Sequence, residues 1–438
     1  MRQRTKKIQR TVSSCKLFAL TTLLCLSSSL HADNLVLHVG TLLAVPGEST
    51  KNNQSIIVKD NRIIAVEDGF VDVPADAKLI DLKDKFVLPG LMDMHVHLLL
   101  ELGPQSRSQL LSDTPELSLL RGADYARKTL HAGFTTVRDL GGRPQSIYAL
   151  RDAIEAHLIA GPRIYAAGSA LAATGGHGDI DGLRADLMEL WTPTTICDGA
   201  IDCRRATRDA VKYGADWIKV TATGGVLSDT STGLGVQMTD NELKEIMDTA
   251  HNLGRKVAAH AHGTDGVNAA LRAGVDSIDH GTFLNKQSIK LFKQTGAFLV
   301  PTLMPGHFVP LSMQGNPMYT NAIKQKAELA SERSRQSFQM AQKAGVKIAF
   351  GTDTGVTPHG QNAREFELMV AAGMSPADAI RAATITTSEL LEISEDLGTI
   401  EQGKLADIIA VDGDPLNDIK VLMKVTTVIS DGRLVKHN

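Results

Sequence analysis

Two histidines spaced two apart on an apolar run are the first feature of this sequence with chemical meaning. His95 and His97 lie in Leu91-Met-Asp-Met-His95-Val-His97-Leu. On a strand, residues i and i+2 project to the same side, so both imidazoles would be aimed together. Paired imidazoles suit a divalent metal. Four more residues add weight. Lys219 sits inside the apolar run Trp217-Ile-Lys219-Val-Thr, and His260 ends Lys256-Val-Ala-Ala-His260. His280 follows Ser277-Ile-Asp, and Asp353 ends Ile348-Ala-Phe-Gly-Thr-Asp353. Each falls on, or at the C-terminal end of, a different strand-like run. A lysine, several imidazoles and a carboxylate are costly to bury without compensation, and a metal cluster is the simplest compensation. Singly, each has an ordinary alternative: a hydrogen-bonded core histidine, a lysine paired with Asp353, an aspartate in the turn before Thr354-Gly355. Their joint occurrence argues for a shared site.

Such residues need a scaffold that gathers strand ends. Strand-like runs start near Met92, Thr135, Ile164, Trp217, Val257, Ser277, Phe298 and Lys347, with helical patterns between them. Many are announced by a small pair, as in Ala132-Gly133, Gly214-Ala215, Ala273-Gly274 and Ala344-Gly345. Glycine there suits the positive φ that ends a helix. The alternation predicts an α/β protein whose main body, residues 89–398, is a (β/α)8 TIM-type barrel. In that fold the strand C-termini open on one mouth. A doubly wound open sheet is the rival, but it would more often carry a Gly-rich phosphate turn after its first strand, and none is found. Residues 34–88 and 399–438 read as short strands split by Gly, Asn and Asp. Neither is long enough for its own core, which predicts one small β-sandwich domain formed by both termini.

The chain has 438 residues, a formal net charge of −3 and 4% aromatics. It therefore carries no broad basic field and no base-stacking surface, and no nucleic-acid partner is expected. The first residues differ from the rest. Arg2, Arg4, Lys6, Lys7 and Arg10 precede an apolar run from Leu17 to Leu26, then Ser27 to Ser29, then His31-Ala32. That order predicts a Sec-type signal peptide over residues 1–32, and hence a periplasmic or secreted protein free of the membrane after cleavage. Of four cysteines, Cys15 and Cys25 would leave with the signal. Cys197 and Cys203 are expected to pair as a disulfide in an oxidising compartment, with free thiols or half of a metal site as alternatives.

The order His-x-His, fourth-strand lysine, fifth- and sixth-strand histidines and eighth-strand aspartate resembles the amidohydrolase superfamily. Val87-Leu-Pro-Gly-Leu-Met-Asp-Met-His-Val-His resembles its first barrel strand. Gly403-Lys-Leu-Ala-Asp-Ile-Ile-Ala-Val resembles its return into the small β domain, so the likeness spans essentially the whole mature chain. Ile218-Lys219-Val-Thr-Ala-Thr-Gly-Gly225 and Thr174-Gly-Gly-His177-Gly-Asp179 are similar to the branch of imidazolonepropionases and Xaa-Pro dipeptidases, on its dipeptidase side.

The resemblance implies two divalent metals per chain, zinc foremost. His95, His97 and Asp353 would bind one and His260 and His280 the other, bridged by Lys219 as N6-carboxylysine. It implies attack on the amide carbon by a hydroxide held between the metals. Asp353 would serve as base and then acid, and His177 would hydrogen-bond the substrate carbonyl or its oxyanion. His262, where some relatives carry Tyr, would contact substrate, as would His307 and Arg138. For His307 a surface-loop role stands beside this, and for Arg138 an ion pair with Asp139 or another acid. The implied activity is hydrolysis of a dipeptide or other small-molecule substrate, of Xaa-Pro or carboxypeptidase-like type. Hydrolysis of a cyclic amide or imidazolone, and a non-catalytic exported binding protein, are the alternatives. A homo-oligomer is compatible with all three.

Overall fold

Alternating apolar side chains build the first layer. β1 (Asn34–Leu42), β2 (Lys51–Lys59) and β3 (Arg62–Asp68) form an antiparallel meander, and β4 (Ala77–Pro89) runs parallel to β1. Leu35, Leu37 and Val39 are buried together with Ile56, Val58, Ile80 and Leu82. The computed structural model describes residues 34–438 other than 181–183, 185, 187, 189–190, 229–232 and 314–318. The expected signal peptide lies outside the described residues.

The middle of the chain is parallel. β5 (Leu91–Val96), β6 (Phe134–Asp139) and β7 (Arg163–Ala166) make one sheet. β8 (Trp217–Thr221), β9 (Lys256–Ala261), β10 (Ser277–His280) and β11 (Phe298–Val300) make another. Strands covered on both faces must be nearly continuous in apolar residues, which is how they read. Helices alternate with them. Thr239 and Glu242 form a capping box before the helix Asp240–Asn252. Gly214 and Gly274 end the helices Ala200–Tyr213 and Thr264–Ala273 at φ 114° and 97°, a conformation that costs glycine least. Both glycines drop the chain directly into the next strand.

Single bridges join the two parallel sheets. Leu171, beyond β7, pairs with Val220 of β8. Residues 347–354 lie between β11 and β5, where Leu299 bridges Ile348 and Val96 bridges Thr354. The Asp353 N–H donates to the His95 carbonyl at 2.8 Å, and the His97 N–H to the Thr354 carbonyl at 2.7 Å. The segment expected as a strand near Lys347 thus pairs with both neighbours: the Leu299 N–H donates to the Lys347 carbonyl, that of Ala349 to Leu299 and that of Met94 to Phe350. Its backbone departs from the strand region at Asp353, φ 57°. Gly351 permits the close approach: a Cβ there would stand 2.3 Å from Val300 Cγ1 and 3.2 Å from the His95 nitrogen. Met92, Met94, Trp217, Ala258, Val300 and Ala349 pack into one buried cluster fed by both sheets.

The C-terminal strands return to the first layer. β12 (Ile408–Val411) pairs antiparallel with β4, followed by β13 (Val425–Ser430) and β14 (Arg433–His437). The order is β14-β13-β12-β4-β1-β2-β3. Both termini therefore share one hydrogen-bonded sheet with its own buried cluster. The sheet is continuous because β4 pairs with β1 on one edge and β12 on the other. Arg62 of β3 also bridges Leu405, just before β12. Among the described residues, no helix is long and apolar enough to cross a membrane.

Phe350 carries residues 347–354 into the packing of the surrounding helices. Its ring lies 4.3 Å from that of Phe366 and 5.5 Å from that of Phe134, all fully buried. Phe366→Ala should cost about 3–5 kcal/mol and lower the thermal unfolding midpoint. Leu120→Ala, at a position 67% exposed, should shift it little. Equal shifts would show that these rings are not a structural keystone.

Candidate functional site

The C-terminal ends of the parallel strands bring six imidazoles together. The His95 ring lies 5.2 Å from His97 and 5.1 Å from His280. His260 lies 4.6 Å from both His262 and His280, and 4.2 Å from His177. Asp353 Oδ1 stands 3.2 Å from His97 Nε2 and 3.4 Å from His95 Nε2. Two groups of possible ligands result: His95, His97 and Asp353, and His260, His262 and His280, with donor atoms within 4.8 Å of one another in each. Lys219 lines the same cavity, its ammonium paired with Asp279.

Outer contacts aim these rings. The His97 Nδ1–H donates to the Gly141 carbonyl at 3.2 Å. His280 Nδ1 hydrogen-bonds Thr302 Oγ1, and His262 Nδ1 hydrogen-bonds Thr282 Oγ1, both at 2.7 Å. With Nδ1 engaged, Nε2 is left for the cavity, the arrangement seen around metal-ligating histidines. Burial holds the pKa values of His95, His260 and His280 well below the ordinary histidine value, and brings His262 to about 3 and His177 to about 4. These are neutral imidazoles, the form that ligates. Burial opposes charge on His97 too, but Asp353 outweighs it and the pKa rises. His95 Nδ1 is buried without a hydrogen-bond partner. Neutral imidazoles gathered beside the Asp353 carboxylate are a donor set suited to a divalent cation.

The backbone at the site is strained. His280, Thr302 and Asp353 have φ of 71°, 45° and 57° without being glycine. Each costs roughly 1–3 kcal/mol, which the surrounding structure must offset. Glycines are required where imidazoles press on backbone. A Cβ on Gly225 would fall 2.2 Å from the His177 ring.

Two sequence expectations need correction. Arg138 does not face a substrate. It is fully buried, donates to the Met94 carbonyl at 2.8 Å and to Asp279 Oδ1 at 3.2 Å, and lies 4.4 Å above the Trp217 ring. Its ion-pair partner is Asp279 rather than its neighbour Asp139, whose carboxylate instead accepts the Leu98 and Gly141 N–H groups. His307 is exposed on the helix Leu303–Ser312; its neighbours Pro305 and Gly306 line the cavity and it does not. The cavity, about 720 Å³, has apolar walls from Trp191, Val226, Leu227, Val309 and Val356. Cys197 and Cys203 are joined, with Cα atoms 4.9 Å apart. The Cys197 N–H donates to the Ala172 carbonyl at 2.9 Å, tying the bonded loop to the segment that leads to His177.

Other residues escaped the sequence reading. Asp279 was visible beside His280, but nothing marked it as the partner of both Lys219 and Arg138. Asp93 accepts from the backbone of His95 and Thr352, from the Thr352 hydroxyl at 2.6 Å and from Asn362 at 2.8 Å. Its signal was its place two residues before His95. Glu365 carried no signal. It accepts from the Leu303 and Met304 N–H groups, each at 2.8 Å.

Burial pushes the Glu365 carboxyl from 4.5 up to about 8, although those two N–H groups oppose the shift. The folded chain therefore keeps a proton that the unfolded chain releases above 4.5. That contribution to stability is complete below the unfolded value and drains away as pH rises through about 8. The thermal midpoint should fall more steeply across this window in the native protein than in Glu365→Gln. Parallel pH profiles would reject the assignment.

Comparisons with known proteins agree with this geometry. The sequence profile of the amidohydrolase family matches residues 86–435. An ochratoxinase of Aspergillus niger is 32% identical over 439 aligned residues, covering 94% of this chain and 89% of that protein. The crystal structure of a Xaa-Pro dipeptidase with methionine bound in its active site superposes with a TM-score of 0.87 at 39% identity, over 92% of this chain and 99% of the other. A prolidase complexed with N-methylphosphonate-L-proline gives 0.84 at 31%, over 92% and 100%. An imidazolonepropionase of Acinetobacter baumannii is a distant relative, 27% identical over 179 residues. The chain belongs to the amidohydrolase family, hydrolases of carbon–nitrogen bonds.

Proposed function

We propose that the chain is an exported two-metal amidohydrolase that cleaves a peptide-like C–N bond, with Xaa-Pro dipeptides as its first substrate class. We also read the two parallel sheets, linked through Leu171 and residues 347–354, as a (β/α)8 barrel capped by the sheet of the termini. The observation that carries the function is the meeting of His95, His97 and Asp353 with His260 and His280 around the cavity that Lys219 lines. Similarity to a Xaa-Pro dipeptidase and a prolidase over nearly their full length favours the dipeptide class.

His95, His97 and Asp353 would hold one cation and His260 and His280 the second, with Lys219, carboxylated on its ε-amine, reaching both. Burial lowers the Lys219 pKa against the pull of Asp279, which favours the neutral amine that carboxylation needs. Zinc suits the imidazole-rich set. Bound there, the metals would supply Lewis acidity and a nucleophilic hydroxide at neutral pH. Asp353 would accept the nucleophile's proton and hand it to the leaving nitrogen, without which an amide nitrogen leaves poorly. His177, neutral and facing the cavity, would donate from Nε2 to the substrate carbonyl oxygen as charge develops on it. The apolar walls would receive the side chain or the pyrrolidine ring.

A second reading, a cyclic-amide hydrolase working with one metal and an unmodified Lys219, draws on the likeness to an imidazolonepropionase. Metal analysis and intact mass separate the two. Two metals per chain and a carboxylated Lys219 support the first reading; one metal and a free amine support the second.

Turnover of a Xaa-Pro and Xaa-Arg dipeptide panel by zinc-loaded protein is the primary test, and silence across the panel removes the dipeptidase assignment. Asp353→Asn should lower kcat by about 10²–10⁴-fold. A chelator should abolish activity, and added zinc should restore it. Export predicts a mature N-terminus at Asp33; finding residues 1–32 intact on periplasmic or secreted protein would overturn that part.

A further inference from the structure

His177 is held from three directions. Its backbone N–H donates to Gln237 Oε1 at 2.8 Å. Its ring rests against Gly225, where any side chain would collide with it. Its Nδ1 lies 2.5 Å from the Ser228 hydroxyl, which is buried beside it. Gly225 and Ser228 belong to one segment leading away from β8, and that segment is itself tethered. Lys326, on the helix Asn321–Lys343, donates from Nζ to the Gly225 carbonyl at 3.0 Å and to the Ser228 carbonyl at 2.5 Å. The same segment supplies Val226 and Leu227 to the cavity wall.

We propose that Ser228 and Lys326 are positioning residues for His177, the serine fixing the imidazole tautomer and the lysine fixing the serine. This rests on the reading of His177 as a donor to the substrate oxygen. For His177 to donate from Nε2, the proton must sit on Nε2, so Nδ1 must accept. The Ser228 hydroxyl is placed to donate to Nδ1, which satisfies that requirement, and the short contact fixes the ring angle. An alanine leaves Nδ1 in a buried place with nothing to hold the tautomer or the ring angle. Lys326 acts one step further out. Its ammonium binds two carbonyls three residues apart, as a staple across the turn that presents Ser228. Without it the segment loses its two charge-assisted hydrogen bonds to the long helix. Neither residue is among the candidate metal ligands, so removal of either should leave metal content unchanged.

The test is a mutant cycle on a dipeptide that the native enzyme turns over, with bound metal measured on every variant. Ser228→Ala should lower kcat about 10-fold to 100-fold with KM nearly unchanged, as loss of a transition-state donor does. Ser228→Thr, which keeps the hydroxyl, should recover most of it. Lys326→Met should show a smaller fall of the same kind, with Lys326→Arg in between. In a His177→Ala background, Ser228→Ala should have no further effect. If it costs as much there as in the native enzyme, the positioning role is overturned while His177 keeps its own. If His177→Ala leaves kcat intact, or no substrate is turned over, the reading of His177 fails and this proposal with it. A crystal structure of Ser228→Ala gives a readout independent of turnover: the His177 ring should be rotated or weakly ordered, and an unmoved ring would count against the idea.

Discussion

Asp279 is the charge on which the interior depends. It is fully buried, yet its two oxygens serve two cations, Arg138 and Lys219, and Oδ2 also stands 3.6 Å from His95 Nδ1. Burying two cations and one anion costs several kcal/mol per ion before any attraction returns it. The geometry that offsets this is specific. Arg138 is stacked on Trp217 and donates to Met94 and Ser277 as well as to Asp279, so each of its three nitrogens is engaged. Lys219 is the accessible partner, because it lines the cavity while Arg138 lies beneath it. The same carboxylate therefore forms the floor of the site and opposes the loss of the Lys219 proton that burial favours.

A second constraint is closure. Asp353 depends on residues 347–354 being held against β5, which backbone hydrogen bonds from Met94 to Phe350, from Asp353 to His95 and from His97 to Thr354 begin to do. Asp93 adds to that pairing. It gathers the backbone of His95 and Thr352, the Thr352 hydroxyl and the Asn362 amide around one carboxylate. Strain at Asp353 then becomes affordable, because the segment on either side is fixed. Packing of Phe350 against Phe134 and Phe366 holds the opposite side of the same strip.

The strands and helices were legible because their signals are local. Helix-ending glycines such as Gly214 and Gly274, and apolar runs such as Val257 to Ala261, declare themselves without tertiary context. His95, His97, Lys219, His260, His280 and Asp353 were legible as a set, because each sits at the end of such a run. What stayed hidden depends on depth and distance. Arg138 was given a substrate contact with an ion pair to Asp139 or another acid beside it, and the acid is Asp279, one layer below the cavity. No local pattern says which strand supplies that partner, 141 positions away. Glu365 and Lys326 act from helices, and their contacts with Leu303 and Ser228 leave no periodic trace. The order of the terminal strands, with β4 between β1 and β12, was equally hidden, because alternation shows which side chains are buried and not which strands pair.

The site is thus assembled from two kinds of support. Backbone at the ends of the parallel strands sets where the imidazoles begin, and this part is repetitive and readable. Partners beyond those ends set how four of them turn: the Thr282 hydroxyl for His262, the Thr302 hydroxyl for His280, the Gly141 carbonyl for His97 and the Ser228 hydroxyl for His177. Every one of these partners engages Nδ1, and they come from four different segments. A shared chemical requirement, that Nε2 face the cavity, has been met by unrelated local solutions. That explains why the candidate ligands can be read from the ends of local runs whereas the residues that orient them cannot.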